Sequence, residues 1–445
     1  MNQISVNFEN IVGPVRPMHA VNNGPVYKFG ADQQITNLDS YKAAGIPYAR
    51  THDASFCSAY GGEHTVDVHA IFPDFDKDPC DPASYDFAIT DEYMRVINLA
   101  GTEVFYRLGS RIEHEIKKYG TLPPKDFHKW AVICEHIIRH YTEGWADGFR
   151  YKMTYWEIWN EADLDPEDSP DKRCWGGTKK QYFELYHIAA THLKKCFPHL
   201  KIGGPALAFD LKWAEDFLAQ LKAPLDFFSW HIYDSTPEIV ENRMHRVRAL
   251  LDKYGFQDTE SILNEWNYVK GWEGDEWIYS LRTEKNMKGA AFIASVMSVC
   301  QKGGLDMLMY YDARPCHMNG MFDEDIPCDL LKGYYPFKMF HTLYQLGREA
   351  EVRDGDHIYA CAAVKDGNAA LMLTHYDDDD SAAPREVRID VSGFRGENGV
   401  CTKWYVLDKD RDMELVREER CGGESFSTFV NMPNFTAILI TLEKR

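Results

Sequence analysis

Eight short apolar runs alternate with longer amphipathic segments over residues 15–345, and strand-length runs separated by turn residues follow. Together these predict an α/β chain: a (β/α)8 barrel with an accessory antiparallel β-sandwich domain. The length of 445 residues agrees, because a barrel of about 250 residues or more leaves room for one smaller module. A third observation orients the barrel. The fourth and seventh runs both end in an Asn-Glu pair, and polar groups placed at the carboxyl ends of barrel strands are where chemistry collects.

Taken in order, the expected barrel strands lie near 15–20, 47–52, 103–108, 153–160, 201–204, 227–232, 261–266 and 306–311. The fourth lacks the polar stripe a helix would need, so it reads as a strand covered on both faces. Between the strands, Phe127, Trp130, Ala131, Cys134, Ile137 and Ile138 recur at spacings of three and four, behind Pro123 and Pro124, and predict a helix over 125–141. Helices are also expected over 179–196, over 238–254 behind Thr236-Pro237, and over 286–300. Past residue 345, strands are expected at 358–362, 370–373, 387–391, 402–406 and 437–440, with 3–8 adding one more. The expected organisation is a barrel over 15–345 and a sandwich from 1–14 and 346–445. Asp377 to Asp380 lacks the spacing of a calcium loop and reads as a solvated turn.

A formal charge of −20 argues against nucleic acid or an anionic membrane as partner, since binding phosphate needs clustered Lys and Arg. Met1 to Asn10 holds Glu9 and no basic leader or apolar run, and no stretch of 18 apolar residues occurs. The eleven cysteines are odd in number and contain no Cys-x-x-Cys pair. Reduced thiols and a cytoplasmic location are expected, although a trimmed signal peptide would leave the same sequence. Oligomeric state stays open, a homo-oligomer included.

The two Asn-Glu pairs carry the chemistry. Two carboxylates facing each other across a sugar can split a glycosidic bond, one as acid and the other as nucleophile or base. Glu161 follows Trp156, Ile158 and Trp159, an apolar wall suited to a carboxyl that keeps its proton, so it is the expected acid/base. Glu265, between Asn264 and Trp266, is the expected nucleophile. In Ser229-Trp230-His231-Ile232-Tyr233-Asp234 the spacing of two puts His231 and Tyr233 on one face, aimed at a carboxylate. Arg50 can hold a carboxylate ionised and His52 can donate to a sugar hydroxyl, an internal salt bridge with Asp53 being equally compatible. His19, Asn160, Trp266, Tyr311 and Asp312 complete the expected substrate-binding set. No cofactor and no metal is expected.

At these residues the sequence resembles glycoside hydrolase family 39, the β-xylosidase and α-L-iduronidase family of clan A. The family signature around its acid/base runs aromatic-Glu-x-Trp-Asn-Glu-Pro and then Asp or Asn. Trp156-Glu157-Ile158-Trp159-Asn160-Glu161-Ala162-Asp163 matches it with Ala162 in place of Pro. Arg50-Thr51-His52, His231-x-Tyr233 and Glu265 extend the likeness. The resemblance implies a retaining double displacement with Glu161 as acid/base, Glu265 as nucleophile and Asn160 as a partner of the sugar 2-hydroxyl. In the iduronidase branch a lysine stands two residues after the strand-six histidine, where this chain has Tyr233. The expected substrate is therefore a terminal neutral β-glycoside, β-xyloside first, with Arg282 and Arg314 as the cations that could reverse this. The alternatives are another retaining clan A glycosidase (β-galactosidase, β-glucosidase, α-L-arabinopyranosidase, α-L-iduronidase or endo-glycanase), a catalytically silent carbohydrate-binding barrel, and a metal-dependent hydrolase using His19, His52 and His231.

Overall fold

The computed structural model describes residues 2–29, 34–53, 64–326, 329–422 and 425–445. Eight parallel strands close a barrel: Ala20–Asn22, Tyr48–Arg50, Glu103–Leu108, Tyr155–Ile158, Lys201–Leu207, Phe227–Asp234, Glu260–Tyr268 and Met307–Tyr310. They are called barrel strands one to eight below. Each pairs with its neighbours in sequence, and strand eight closes on strand one through Met309 opposite Ala20 and Tyr310 opposite Val21. Alternation sorts their side chains. Ala20, Phe105, Tyr155, Phe227, Ile262, Met307 and Met309 form one cluster that fills the barrel's interior. Trp156, Ile158 and Leu263 point the other way, into the layer shared with the helices.

The helices begin where the sequence supplies caps. Asp126 accepts from the amides of His128 and Lys129 to start Phe127–Thr142, and Thr178 with Gln181 closes a capping box at the head of Lys179–Cys196. Pro237–Lys253 opens on proline, and Met287–Lys302 is buried along nearly all of its length. The latter fits a helix wedged between two layers: barrel on one side, sheet on the other.

The sandwich is built from one continuous nine-stranded sheet. Its members are Asn2–Pro14, Arg348–Arg353, Ile358–Lys365, Asn368–His375, Arg385–Ser392, Val400–Leu407, Asp412–Cys421, Ser425–Met432 and Thr436–Lys444. One face gathers Ile4, Val6, Ile358, Leu371, Ile389, Trp404 and Ile438 into a separate core drawn from both halves of the strand order. Cys361, Ala363, Met372 and Leu439, on the other face, join the barrel's helical layer. The amino-terminal strand does enter this sheet, antiparallel to Arg348–Arg353 and parallel to Arg385–Ser392.

Three expectations change. The first barrel strand is Ala20–Asn22 rather than 15–20, because the sheet strand ahead of it runs to Pro14 and the chain needs residues 15–19 to cross to the barrel. Arg348–Arg353, Asp412–Cys421 and Ser425–Met432 are strands the sequence reading passed over. And Asp377 to Asp380 is more than a solvated turn. Asp378 and Asp380 both take the buried Lys288 ammonium, and Asp378 also receives Lys270 and the Tyr268 hydroxyl. This turn bolts the sheet onto the barrel. Nine described cysteines are free thiols, with Cys57 and Cys328 outside the described residues. Among the described residues no helix is long and apolar enough to cross a membrane.

Candidate active site

At the carboxyl end of the barrel the polar groups converge on one guanidinium. Arg50, at the end of strand two, is wholly buried and donates from Nε to Glu157 at 2.7 Å and from Nη1 to Asn22 at 3.0 Å. Nη1 also reaches Glu265 Oε2 at 3.1 Å, and Nη2 reaches Asn160 Oδ1 at 2.6 Å. Burial alone would favour the neutral form, but Glu157 and Glu265 hold the guanidinium charged. Asn264 completes the layer by donating to the second oxygen of Glu157 at 2.5 Å. The side chains of Glu265, Asn160 and Asn22 are thus oriented from beneath by a single planar cation.

Glu265 points inward because strand seven breaks register. Leu263 pairs with Trp230 and Glu265 with His231, so Asn264 is an extra residue and the strand bulges there. Strict alternation would send Glu265 outward with Leu263. The bulge re-aims it, so that Asn264 and Glu265 both face the interior and Trp266 turns out. Trp266 accordingly packs against Phe292 and Tyr310, in the helical layer, and does not line the site as expected.

The strand-four pair is set differently. Trp159 and Glu161 both have positive φ, 72° and 45°, a conformation uncommon outside glycine. Three hydrogen bonds hold it: Trp159 N to Leu108 O, Glu161 N to Ala206 O, and the Trp159 indole to Cys174 O. The tight turn places Asn160 against Arg50 and brings Glu161 to the same side of the barrel, against His231.

The two carboxylates have unlike neighbours. Glu265 receives the Tyr233 hydroxyl at 2.6 Å on one oxygen, while the other faces Arg50, His231 Nδ1 at 3.6 Å and His52 Nε2 at 3.9 Å. Burial works to raise its pKa, but His231, His52, Arg50 and the tyrosine hydrogen bond outweigh it and hold Glu265 below the usual glutamate range. Burial and the facing Glu265 push the Tyr233 phenol well up, so it acts as a donor. Among the described residues, no Lys or Arg pairs with Glu161. His231 Nδ1 meets one oxygen at 2.7 Å and the Cys174 thiol meets the other at 3.7 Å. Burial works to lower the His231 pKa, yet Glu265 and the Glu161 hydrogen bond raise it on balance. One oxygen of each glutamate and one His231 nitrogen lie within 4.8 Å of one another. Such a trio could ligate a cation, but the Arg50 guanidinium already occupies that role beside Glu265.

Around this core, His52 is 3.3 Å from Asp53, and Asp53 takes the Tyr311 hydroxyl at 3.2 Å and Arg314 at 3.3 Å. Arg314 also pairs with Asp312 at 3.5 Å. Burial pushes Asp312 up to about 6 despite Arg314. Tyr311 and Asp312 therefore stand in a supporting ring near the site. His19 does not belong to it. It precedes strand one at the opposite end of the barrel, where it touches Gly45 O and His341 and packs on Tyr344, and burial lowers its pKa to about 3. Sequence reasoning missed three residues. Glu157 left a signal, a carboxylate in the middle of an apolar strand, and Asn264 flanks Glu265. Cys174 left none, since its thiol arrives from the loop thirteen residues after Glu161.

Comparison with known proteins decides the family. The profile of Glycosyl hydrolases family 39 matches residues 55–303, more than half of the chain. The chain belongs to this family. A β-xylosidase of Geobacillus stearothermophilus is 28% identical over 294 residues, which cover 58% of this chain and 53% of that protein. The chain thus spans about half the length of that relative. Two solved structures share the family 39 chain's fold from end to end. A glucosidase from Croceicoccus marinus has a TM-score of 0.80 at 23% identity, covering 100% of this chain and 99% of its own. A monomeric β-xylosidase from Caulobacter crescentus CB15 has a TM-score of 0.71 at 17% identity, covering both chains completely.

Proposed function

We propose that the chain is a retaining glycoside hydrolase that cleaves a terminal neutral β-glycoside, β-xyloside first, with Glu265 as nucleophile and Glu161 as acid/base. The observation that carries this reading is the unequal treatment of two carboxylates within reach of one sugar. Glu265 is ionised by Arg50, His231, His52 and Tyr233, as a nucleophile must be. Glu161 faces a histidine and a thiol, and is the carboxyl placed to give its proton to a leaving-group oxygen. In the first step Glu265 bonds to the anomeric carbon as the glycosidic bond breaks, and the proton of Glu161 goes to the departing oxygen. In the second, Glu161 takes a proton from water, which attacks the anomeric carbon and frees Glu265. Spacing supports retention, because carboxyl groups about 5–5.5 Å apart suit a direct nucleophile, whereas inverting pairs stand about 6.5–9.5 Å apart. The nearest carboxyl oxygens of Glu161 and Glu265 lie within 4.8 Å of each other, a proximity compatible with the first class.

Charge supports the neutral sugar. Arg314, the cation that could have met a uronate, is neutralised by Asp53 and Asp312, and Arg282 is exposed on the helix after strand seven. Tyr233 offers a hydrogen bond where a cation would be needed to offset a buried carboxylate.

The test is chemical rescue. Glu161→Ala should still form the glycosyl-enzyme from an aryl glycoside with an activated leaving group, and azide should restore turnover and yield a β-glycosyl azide. Glu265→Ala should lose both steps. A β-azide product from the Glu265 variant would reverse the roles, and absence of turnover by wild type on any glycoside would favour a carbohydrate-binding barrel.

A further inference from the structure

Beyond the nucleophile, the loop after strand seven and the helix Gly274–Glu284 that follows it carry an aromatic stack that the chemistry above does not use. Trp272 is 56% exposed. A single exposed indole needs no explanation, but this one is part of an arrangement. Its ring lies over Trp277 at 5.3 Å and 23°, and it meets the Tyr233 ring edge-on at 5.0 Å and 75°. Tyr233 is the residue whose hydroxyl bonds Glu265 at 2.6 Å. Trp272 therefore sits between Tyr233, which bonds the nucleophile, and the half-buried Trp277, and it is the most exposed of the three rings.

The loop is braced rather than loose. Lys270 N donates to Ser280 Oγ at 2.9 Å, and its ammonium pairs at 3.0 Å with Asp378, the sheet turn that also holds Lys288 and Tyr268. An aromatic ring fixed by packing from behind loses little freedom when a ligand settles on its open face. The charge around it is one-sided: Glu273, Asp275 and Glu276 flank Trp272 and Trp277 in the chain and are exposed, while Lys270 is already paired. An anionic group would be repelled there.

We propose that Trp272 is the platform on which the leaving group of the substrate stacks, and that this group is a neutral sugar or an aryl ring. The inference rests on the glycosidase reading and deepens it. With the glycone held against the buried Glu161 and Glu265, the exposed Trp272 ring beyond Tyr233 is positioned for what lies on the other side of the bond to be broken. Stacking of a flat or apolar face on the indole follows the same physics as aromatic pairing. The sheet domain then has a part in specificity, since its Asp378 anchors the loop that presents the platform.

The experiment compares Trp272→Ala and Trp272→Phe with wild type on two substrates that share a glycone: xylobiose, whose leaving group is a sugar, and β-xylosyl fluoride, whose leaving group has no ring. The ratio of kcat/KM for xylobiose to that for the fluoride should fall about tenfold in the alanine variant, equivalent to one ordinary stacking contact, and phenylalanine should restore most of it. Equal losses on both substrates would mean that Trp272 only supports Tyr233, and no loss on xylobiose would mean that it touches nothing; either overturns the proposal. If wild type cleaves neither substrate, only the xyloside assignment fails, and the same ratio is measured with the disaccharide and the glycosyl fluoride of the glycone that wild type does hydrolyse, where an unchanged ratio in Trp272→Ala overturns the platform. If wild type hydrolyses no glycoside, the glycosidase reading fails and the platform falls with it.

Discussion

Replacing Tyr233 by phenylalanine tests the electrostatics of the site with a single atom. Among the described residues the tyrosine hydroxyl is the donor to Glu265 Oε1, at 2.6 Å, while Arg50 serves the other oxygen. A hydrogen bond to an ionised group contributes about 1.5–3 kcal/mol. At about 1.36 kcal/mol per pKa unit, the carboxyl of the variant should titrate roughly 1–2 units higher. The assay is kcat/KM for an aryl β-xyloside as a function of pH, whose acid limb reports the free enzyme's essential carboxylate. That limb should move up by the stated amount. Stability should follow. Glu265 has a folded pKa below its unfolded value of 4.5, so its contribution to stability is present above about that pH and is lost as pH falls through the folded value. Tyr233→Phe should therefore be less stable than wild type at neutral pH, with the gap closing as the solution is acidified. An acid limb that stays where it is in wild type would refute the assignment of Glu265 as the ionised group held by Tyr233.

Arg50→Gln leaves Glu157 and Glu265 buried without their cation, and should cost about 3–5 kcal/mol in the urea-unfolding free energy. Adding Glu157→Gln should recover part of that stability without recovering turnover, because Glu265 remains unsupported. Aryl β-xyloside should be hydrolysed in clear preference to aryl α-L-iduronide under identical conditions, and the opposite preference would show that the paired Arg314 is released to a uronate. With nine described cysteines free, the melting temperature should be the same with and without dithiothreitol, as no cross-link restricts the unfolded chain. A marked drop in reductant would contradict the reading of reduced thiols.

Periodicity made the barrel legible. Strands buried on both faces are continuous apolar runs, and helices laid on them carry a stripe at three and four residues, so 103–108 and 179–196 could be bounded to the residue. Strand one was misplaced because Val15, Met18 and Ala20 are apolar and buried, as a strand would be, although 15–19 is a crossing segment. The error carried His19 to the wrong end of the barrel. The overlooked sheet strands Asp412–Cys421 and Ser425–Met432 alternate only between exposed and half-buried positions, with Met432 the one buried residue, so their inward faces lack the continuous apolar set that marks a core strand in the sequence.

The site itself shows where local pattern stops and tertiary geometry begins. Asn160-Glu161 and Asn264-Glu265 look alike as text, and an Asn-Glu pair on an ideal strand would send one side chain in and the other out. Both pairs defeat that alternation, by different means: a left-handed turn at Trp159 and Glu161 in one case, an extra residue at Asn264 in the other. Neither device follows from residue type, since Trp and Glu are not residues that a left-handed turn favours and the bulge at Asn264 has no residue requirement of its own. The environments also diverge through distant residues. Arg50 reaches Glu265 across the barrel floor, and Cys174 reaches Glu161 from a loop. Two similar dipeptides can thus take opposite chemical roles because the barrel brings different strands to each of them, and it is this asymmetry, more than the presence of two glutamates, that a catalytic pair requires.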